Sequence, residues 1–408
     1  MHESRESARP QAEKGVPVSG CHLLSGVSLP ALVLHQRELQ HNLLWMQRYA
    51  EQHGAQLAPH GKTTMTPGLF RRQLEAGAWG ITLATAVQCA LAWQHGVRRI
   101  LMANQLVGAA NMALIAGMLK DGDVEFHCLV DNPDNVRQLG EFFAAEGLTL
   151  NVMLELGVPG GRCGCRTAEQ VTAVLAEIAA QPSLVLSGIE GYEGVIHGKQ
   201  ATEAIGQFAR HLVETAVALN AQGRFGLTKP YVTASGSAWY DLIAGEFLRL
   251  QAADRFQPLL RPGCYLVHDH GLYKTSQAAL LHRHPELDGA LLPAMEVWAH
   301  VQSLPEPGCA IVALGKRDVA FDAGLPVPLR AYGVARQSFD PVTLDERFVV
   351  TAMMDQHAFM RIPAEHDLQV GDVIAFGASH PCLTFDKWRY VTLVDERLNV
   401  VETLPTYF

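Results

Sequence analysis

The sequence predicts an α/β protein: a closed (β/α)8 barrel of the TIM type followed by a smaller all-β domain. Three observations carry this. Eight short apolar runs alternate with segments of helical period from residue 55 to residue 267. Polar residues and glycines gather at the ends of those runs, where a barrel places its chemistry. From about residue 294 the helical period gives way to short apolar runs separated by Gly and Pro, the signature of an all-β domain. A doubly wound open sheet is the competing solution for the first part.

Residues 1–14, MHESRESARPQAEK, hold too few apolar groups to pack and are expected to form a disordered tail. Residues 15–30 are expected to join the β domain, because 16–18 and Leu23-Leu24 have no place in a barrel. The barrel domain is placed at 31–285. It opens on the apolar run 31–34, and 37–53 then carries Leu39, Leu43, Trp45, Met46 and Tyr49 at helical spacing. The expected barrel strands are 55–59, 80–84, 99–103, 125–130, 148–154, 184–189, 231–233 and 264–267, and the helical segments between them are 67–76, 86–95, 109–119, 133–145, 168–179, 201–219 and 238–248. The β domain is placed at 286–408, with runs at 297–303, 309–314, 348–353, 358–362, 373–376 and 389–394.

Composition excludes several function classes. The 408 residues, 48% hydrophobic and 18% charged, can bury a large core and divide into two domains. A formal charge of -9 without a dense Lys/Arg run leaves no footprint for nucleic acid or an anionic membrane. No apolar run reaches the roughly 18 residues that span a bilayer. The eight cysteines are scattered and residues 1–15 are polar, so a reducing cytoplasmic setting is expected.

At the strand ends, His60-Gly61-Lys62 puts an amine at the barrel mouth. Such a lysine is either a solvated surface group or a Schiff-base lysine held near a carbonyl and a phosphate site. Ser235-Gly236-Ser237 precedes a helix, where hydroxyls and unsatisfied N–H groups suit a phosphate, although Ser and Gly there also make an ordinary N-cap. Arg261-Pro262-Gly263-Cys264 stands just before the last expected strand and could close the other side.

In the β domain, His380 and Cys382 on an extended segment would point to one side and reach one Zn²⁺. Two protein ligands leave positions open, as a Lewis-acid site requires; a loop histidine beside a buried cysteine is the other reading. His268-Asp269-His270 is expected to be a solvated loop, Cys163 and Cys165 free thiols, and Asp355-Gln356-His357 either a surface turn or a lining of the metal site.

Taken together, His60-Gly61-Lys62-Thr63, Gly161-Arg162-Cys163-Gly164, Gly191-Tyr192-Glu193-Gly194, Arg261-Pro262-Gly263 and His380-Pro381-Cys382 resemble the metal-dependent D-serine dehydratase (D-serine ammonia-lyase) family. That family belongs to the alanine-racemase-like, fold-type III pyridoxal phosphate enzymes and is related to the D-threonine aldolases. The resemblance runs from about residue 29 to the C-terminus. It implies that Lys62 carries pyridoxal 5'-phosphate as an internal aldimine, and that Ser235, Gly236, Ser237, Gly263 and Cys264 contact the phosphate. It further implies that Arg162 approaches the cofactor phenolate or the substrate carboxylate, that Tyr192 lies at the cofactor, and that Arg261 partners the pyridine nitrogen. His380 and Cys382 match the family's ligands for Zn²⁺, with Mn²⁺ or another divalent ion as alternatives, whereas the aldolases carry His-x-Asp there. One departure is His35, where the family has an acidic residue.

The resemblance implies a lyase converting D-serine or another D-3-hydroxy amino acid to a 2-oxo acid and ammonia. Lys62 removes the Cα proton and the metal assists loss of the β-hydroxyl. Aldol cleavage to glycine and an aldehyde is the alternative. A non-catalytic pyridoxal phosphate carrier would lack the β domain, and a racemase would need a second base to which no residue can be assigned. Two-domain members resemble head-to-tail dimers, so a homodimer is expected.

Overall fold

The fold is described from a computed structural model over residues 14–15, 20–251 and 255–408. The disordered tail expected at 1–14 therefore lies, but for Lys14, outside the described residues, as does 16–18. The chain divides into two compact units. One comprises Met1–Leu39, Val267–Leu272 and Pro293–Phe408; the other comprises Gln40–Leu266 and Tyr273–Leu292.

The second unit is the barrel. Its strands are Gln56–Leu57, Ile81–Leu83, Arg99–Gln105, Glu125–Val130, Leu150–Leu156, Leu184–Gly191, Tyr231–Ala234 and Gln257–Leu260. From Ile81–Leu83 onward each pairs in parallel with the next, and the last pairs with the first. The remaining seam is closed by a His60–Thr82 bridge and by Trp79 N–H donating to Leu57 O at 2.7 Å. Parallel strands are buried on both faces, which is why they read as continuous apolar runs rather than alternating ones. Ala58, Leu101, Leu129, Met153 and Leu259 fill the centre with Trp79 and Tyr231. The helices start where the sequence offers caps: Thr85 accepts from Gln88 N–H, Asn132 from Asp134 N–H, and Thr167 forms a capping box with Gln170.

The eighth strand corrects the sequence reading. It is Gln257–Leu260, not 264–267. Pro258 interrupts an already short run and hides it, while Cys264, Tyr265, Leu266 and Val267 are apolar because they are buried in the turns that follow. The consequence is functional. Arg261, Gly263 and Cys264 follow the last strand and so stand at the C-terminal mouth of the barrel.

The other unit is built on a sheet running Pro341–Thr343, Val327–Tyr332, Val373–Gly377, Met295–Glu306, Ala31–His35, Tyr390–Val394 and Val400–Pro405, with Cys309–Val312, Ala358–Arg361 and Val349–Met353 branching from it. Ala31–His35, which the sequence reading assigns to the barrel domain, instead lies inside this sheet. It is antiparallel to Met295–Glu306 and parallel to Tyr390–Val394. His35 Nε2 lies 2.8 Å from Glu296, whose carboxylate also accepts from Trp298 Nε1 and Arg330. Burial alone would raise Glu296, but His35 and Arg330 hold it down at about 2. His35 thus joins the hydrogen-bonded cluster around an acid from the neighbouring strand.

Candidate active site

Lys62 sits in the 3₁₀ turn Gly61–Thr63 that leaves the first barrel strand. Gly61 is needed there because a Cβ would meet Ile81 and Phe70 at 2.8 Å. The turn is packed from the far side by Gly263, whose missing Cβ would lie 2.5 Å from Thr63 Oγ1 and 2.7 Å from His60 O. Thr63 Oγ1 and Cys264 Sγ are 3.9 Å apart. The first and last strands therefore deliver Lys62 and Gly263-Cys264 to one place.

His60 shows what else converges there. Its pKa is pushed well down, first by burial and then by the charges of Lys62, Arg261 and Arg162, so the imidazole is neutral among three cations. Arg162 lies over the Tyr192 ring at 4.3 Å, a cation–π contact that aims both side chains. Arg261 is buried and ion-paired with Glu190, and it also donates to Gly191 O at 3.1 Å.

Two loops form the anion cradle. Ser237 Oγ accepts from Gly263 N–H and Cys264 N–H, both at 3.0 Å, which ties the loop after Tyr231–Ala234 to the loop after Gln257–Leu260. Ser235 N–H and Gly236 N–H donate to Glu193 at 3.2 and 2.6 Å. The residues fit a group with a phosphate at one end and a carbonyl at the other: small side chains, two glycines, serine hydroxyls and a primary amine in one mouth. Arg261 Nε, Glu190 Oε2 and His60 Nδ1 are buried there without a protein hydrogen bond, as in a site whose polar partner is a ligand.

Against the cations lies an acidic set to which the sequence reading assigns no role. Glu155 and Glu190 face each other in register across adjacent strands, and both are buried. Burial, Glu190 and Asp131 push Glu155 up to about 8, and Gln105 donates to it. The available signal was an acidic residue inside each of two apolar strands, which demands a partner or a proton.

In the β unit, His380 and Cys382 do come together, but not on an extended segment. Pro381 is helical and starts the short helix Cys382–Phe385. Asp322, 58 residues earlier and invisible as a motif, lies 2.8 Å from His380 Nδ1. The hydrogen bond to Cys382, then that to Asp322, raises His380 to about 9 against the opposing effect of burial. A carboxylate on Nδ1 fixes the tautomer that leaves Nε2 as a metal ligand, so imidazole and thiol fit a borderline divalent cation. His268-Asp269-His270 is not the solvated loop expected, since His268 and Asp269 are buried. Asp355-Gln356-His357 is an exposed turn. Cys163 and Cys165 are free thiols.

Residues 34–267 match the family described as "Alanine racemase, N-terminal domain", and residues 294–394 match the "Putative serine dehydratase domain". The chain is 26% identical over 383 residues to a D-threonine aldolase of an Arthrobacter species, covering 92% of this chain and 90% of that one. It is 26% identical over 200 residues to the D-threo-3-hydroxyaspartate dehydratase of Delftia sp. strain HT23, covering 48% of this chain and 52% of that one. The solved structure of that dehydratase superposes with a TM-score of 0.74 at 21% identity, covering 95% and 99%. The crystal structure of a D-threonine aldolase from Filomicrobium marinum gives 0.79 at 23% identity, covering 95% and 97%. The first family match spans more than half of the sequence: the chain belongs to the alanine racemase N-terminal domain family, in the alanine-racemase-like fold-type III group, and its residues 294–394 add the match to the serine dehydratase domain model.

Proposed function

We propose that this protein is a pyridoxal phosphate- and divalent metal-dependent lyase that dehydrates D-serine or another D-3-hydroxy amino acid to a 2-oxo acid and ammonia. The observation that carries the choice of reaction is the contact of His380 with Cys382, backed by Asp322. Solved variants of the hydroxyaspartate dehydratase are substituted at a histidine and at a cysteine two positions further on, the latter described as a metal-free form. His380 and Cys382 have the same spacing.

Lys62 would carry the cofactor, with Ser237, Gly263 and Cys264 at its phosphate and Tyr192 and Arg162 along its ring edge. Pyridoxal phosphate, when bound, supplies an electrophilic carbonyl and a ring that takes up the charge left at Cα. Lys62 Nζ would then serve as base on the Cα proton, being the primary amine at the barrel mouth. Arg162, exposed above Tyr192, is placed to take the substrate carboxylate. Arg261 is committed to Glu190 and keeps Nε for the far edge of the ring, consistent with a pyridine-nitrogen partner. His380 and Cys382 would hold the cation, Zn²⁺ first by donor type, and its chemistry is to make a hydroxyl a competent leaving group.

Aldol cleavage is the second reading, favoured by the 26% identity to the D-threonine aldolase over most of the chain. Cys382, in place of the aldolases' aspartate, weighs against it. No helix among the described residues is long and apolar enough to cross a membrane, and eight cysteines outside any disulfide suit a reducing cytoplasm. A homodimer is supported by Val327, Phe339 and Val342 of the β unit, which are 45%, 48% and 62% exposed.

The deciding experiment follows 2-oxo acid from D-serine and L-serine with pyridoxal phosphate, before and after a chelator. Pyruvate from the D-isomer alone, lost with chelator and regained with Zn²⁺, is the expected result. Glycine and acetaldehyde from D-threonine, without any 2-oxo acid from D-serine, would replace the dehydratase by the aldolase.

A further inference from the structure

Glu193 has no part in the chemistry above, yet it is fully buried in the turn Glu193–Val195 that follows the strand Leu184–Gly191. Its two carboxylate oxygens are divided between two consecutive amides of the next loop. Oε1 accepts from Gly236 N–H at 2.6 Å and Oε2 from Ser235 N–H at 3.2 Å. Ser235 stands at φ +92, a backbone conformation that costs a non-glycine residue energy and persists only where its surroundings enforce it. Two charge-assisted hydrogen bonds from one buried carboxylate are such an enforcement. The Ser235 hydroxyl turns inward to Gly236 O at 2.8 Å, and Gly236 packs closely on Tyr192, since a Cβ would lie 3.2 Å from that ring.

The same loop, one residue on, presents Ser237 Oγ to the amides of Gly263 and Cys264. Glu193 therefore fixes the turn whose next hydroxyl gathers the last two amides of the cradle. It also withdraws the Ser235 and Gly236 amides from any incoming anion. The Gly263 and Cys264 amides are gathered in turn on Ser237 Oγ, whose own hydroxyl hydrogen points the network at an incoming phosphate.

We propose that Glu193 is a positioning residue for the phosphate end of the cofactor site: its carboxylate holds the Ser235-Gly236 turn, and affinity for the phosphate group depends on it although it does not touch the cofactor. This rests on the assignment of the barrel mouth to pyridoxal phosphate. It goes further in naming the side chain that orders the Ser235-Gly236 turn of the expected phosphate loop.

The test compares pyridoxal phosphate with pyridoxal, which lacks the phosphate. The holoenzyme is stripped of cofactor, and both ligands are titrated into wild type, Glu193→Ala, Glu193→Gln and Glu193→Asp, followed by the visible absorbance of the bound aldehyde and by thermal unfolding. In Glu193→Ala and Glu193→Gln the dissociation constant for pyridoxal phosphate should rise about tenfold or more, the worth of one lost charge-assisted hydrogen bond, with pyridoxal unchanged. Glu193→Asp should recover part of the loss. Glu193→Gln keeps the shape of the side chain and carries the test if Glu193→Ala does not fold. An equal loss for both ligands, or no loss for either, overturns the proposal. Wild type that binds neither ligand overturns the cofactor assignment instead.

Discussion

Glu155 shows how single side chains at the barrel mouth answer to their surroundings. It is held protonated to about pH 8 by burial, by Glu190 across the strand pair and by Asp131. In the unfolded chain it loses its proton near 4.5. The native state thus binds the extra proton between those values, and stability is fully present below about 4.5 and falls as pH rises through 8. Glu155→Gln removes that titration. Its unfolding free energy in urea should gain on wild type progressively from pH 5 to pH 8, by on the order of a few kcal/mol at most, and parallel pH profiles would refute the assignment. His380→Ala and Cys382→Ala belong to the other unit and should keep the cofactor's visible absorbance while turnover stops. Lys62→Ala should lose the absorbance itself. A counterexample warns against reading function from constellation alone. His127 lies between Ser187 Oγ at 2.8 Å and Glu125 at 3.1 Å, the parts of a hydrolytic triad, yet it is fully buried and Ser187 donates to Val152 O.

The loops do their work in pairs. The turn Gly61–Thr63 and the loop after Gln257–Leu260 are pressed together at Gly263, with no space between Thr63 Oγ1 and the backbone of His60. Gly263→Ala should force them apart, cost about 1–3 kcal/mol in thermal unfolding, and weaken cofactor binding at the same time. A variant with wild-type affinity and melting temperature would show that the two loops are free to shift. Ala31–His35 illustrates the same dependence in the β unit. Its apolar face is buried around Trp298, and its last residue meets Glu296, so its sequence suits any buried strand and only its partners assign it to this sheet.

For the whole molecule, exposed Val327, Phe339 and Val342 and the short edge strand Pro341–Thr343 lead us to expect a dimer. Sedimentation equilibrium of the holoenzyme should give twice the chain mass at micromolar concentration. A monomer with full activity would remove the dimer from the account of the enzyme. The cation belongs at this scale too, because chelator treatment should abolish turnover without unfolding the chain. Cys382 begins a formed helix and His380, two residues before it, is held by Asp322, so the pair does not depend on an ion for its assembly.

Much of this was legible in one dimension. Alternating periods mark strand and helix because burial repeats every two or 3.6 residues, and seven of the eight barrel strands, with Lys62 at the end of the first, follow from such local signals, whereas His380 and Cys382 meet across a helical Pro381 and not on the extended segment their spacing suggests. Local signals failed where a residue's meaning depends on a distant partner. Gln257–Leu260 is a strand because Tyr231–Ala234 and Gln56–Leu57 flank it, despite Pro258. Glu193 orders a loop 42 residues away, Asp322 orients a histidine 58 residues on, and Glu155 keeps its proton because folding sets it beside Glu190. Hydrogen bonds and charge interactions act over a few ångströms of space, and no spacing along the chain encodes which groups folding brings within that reach.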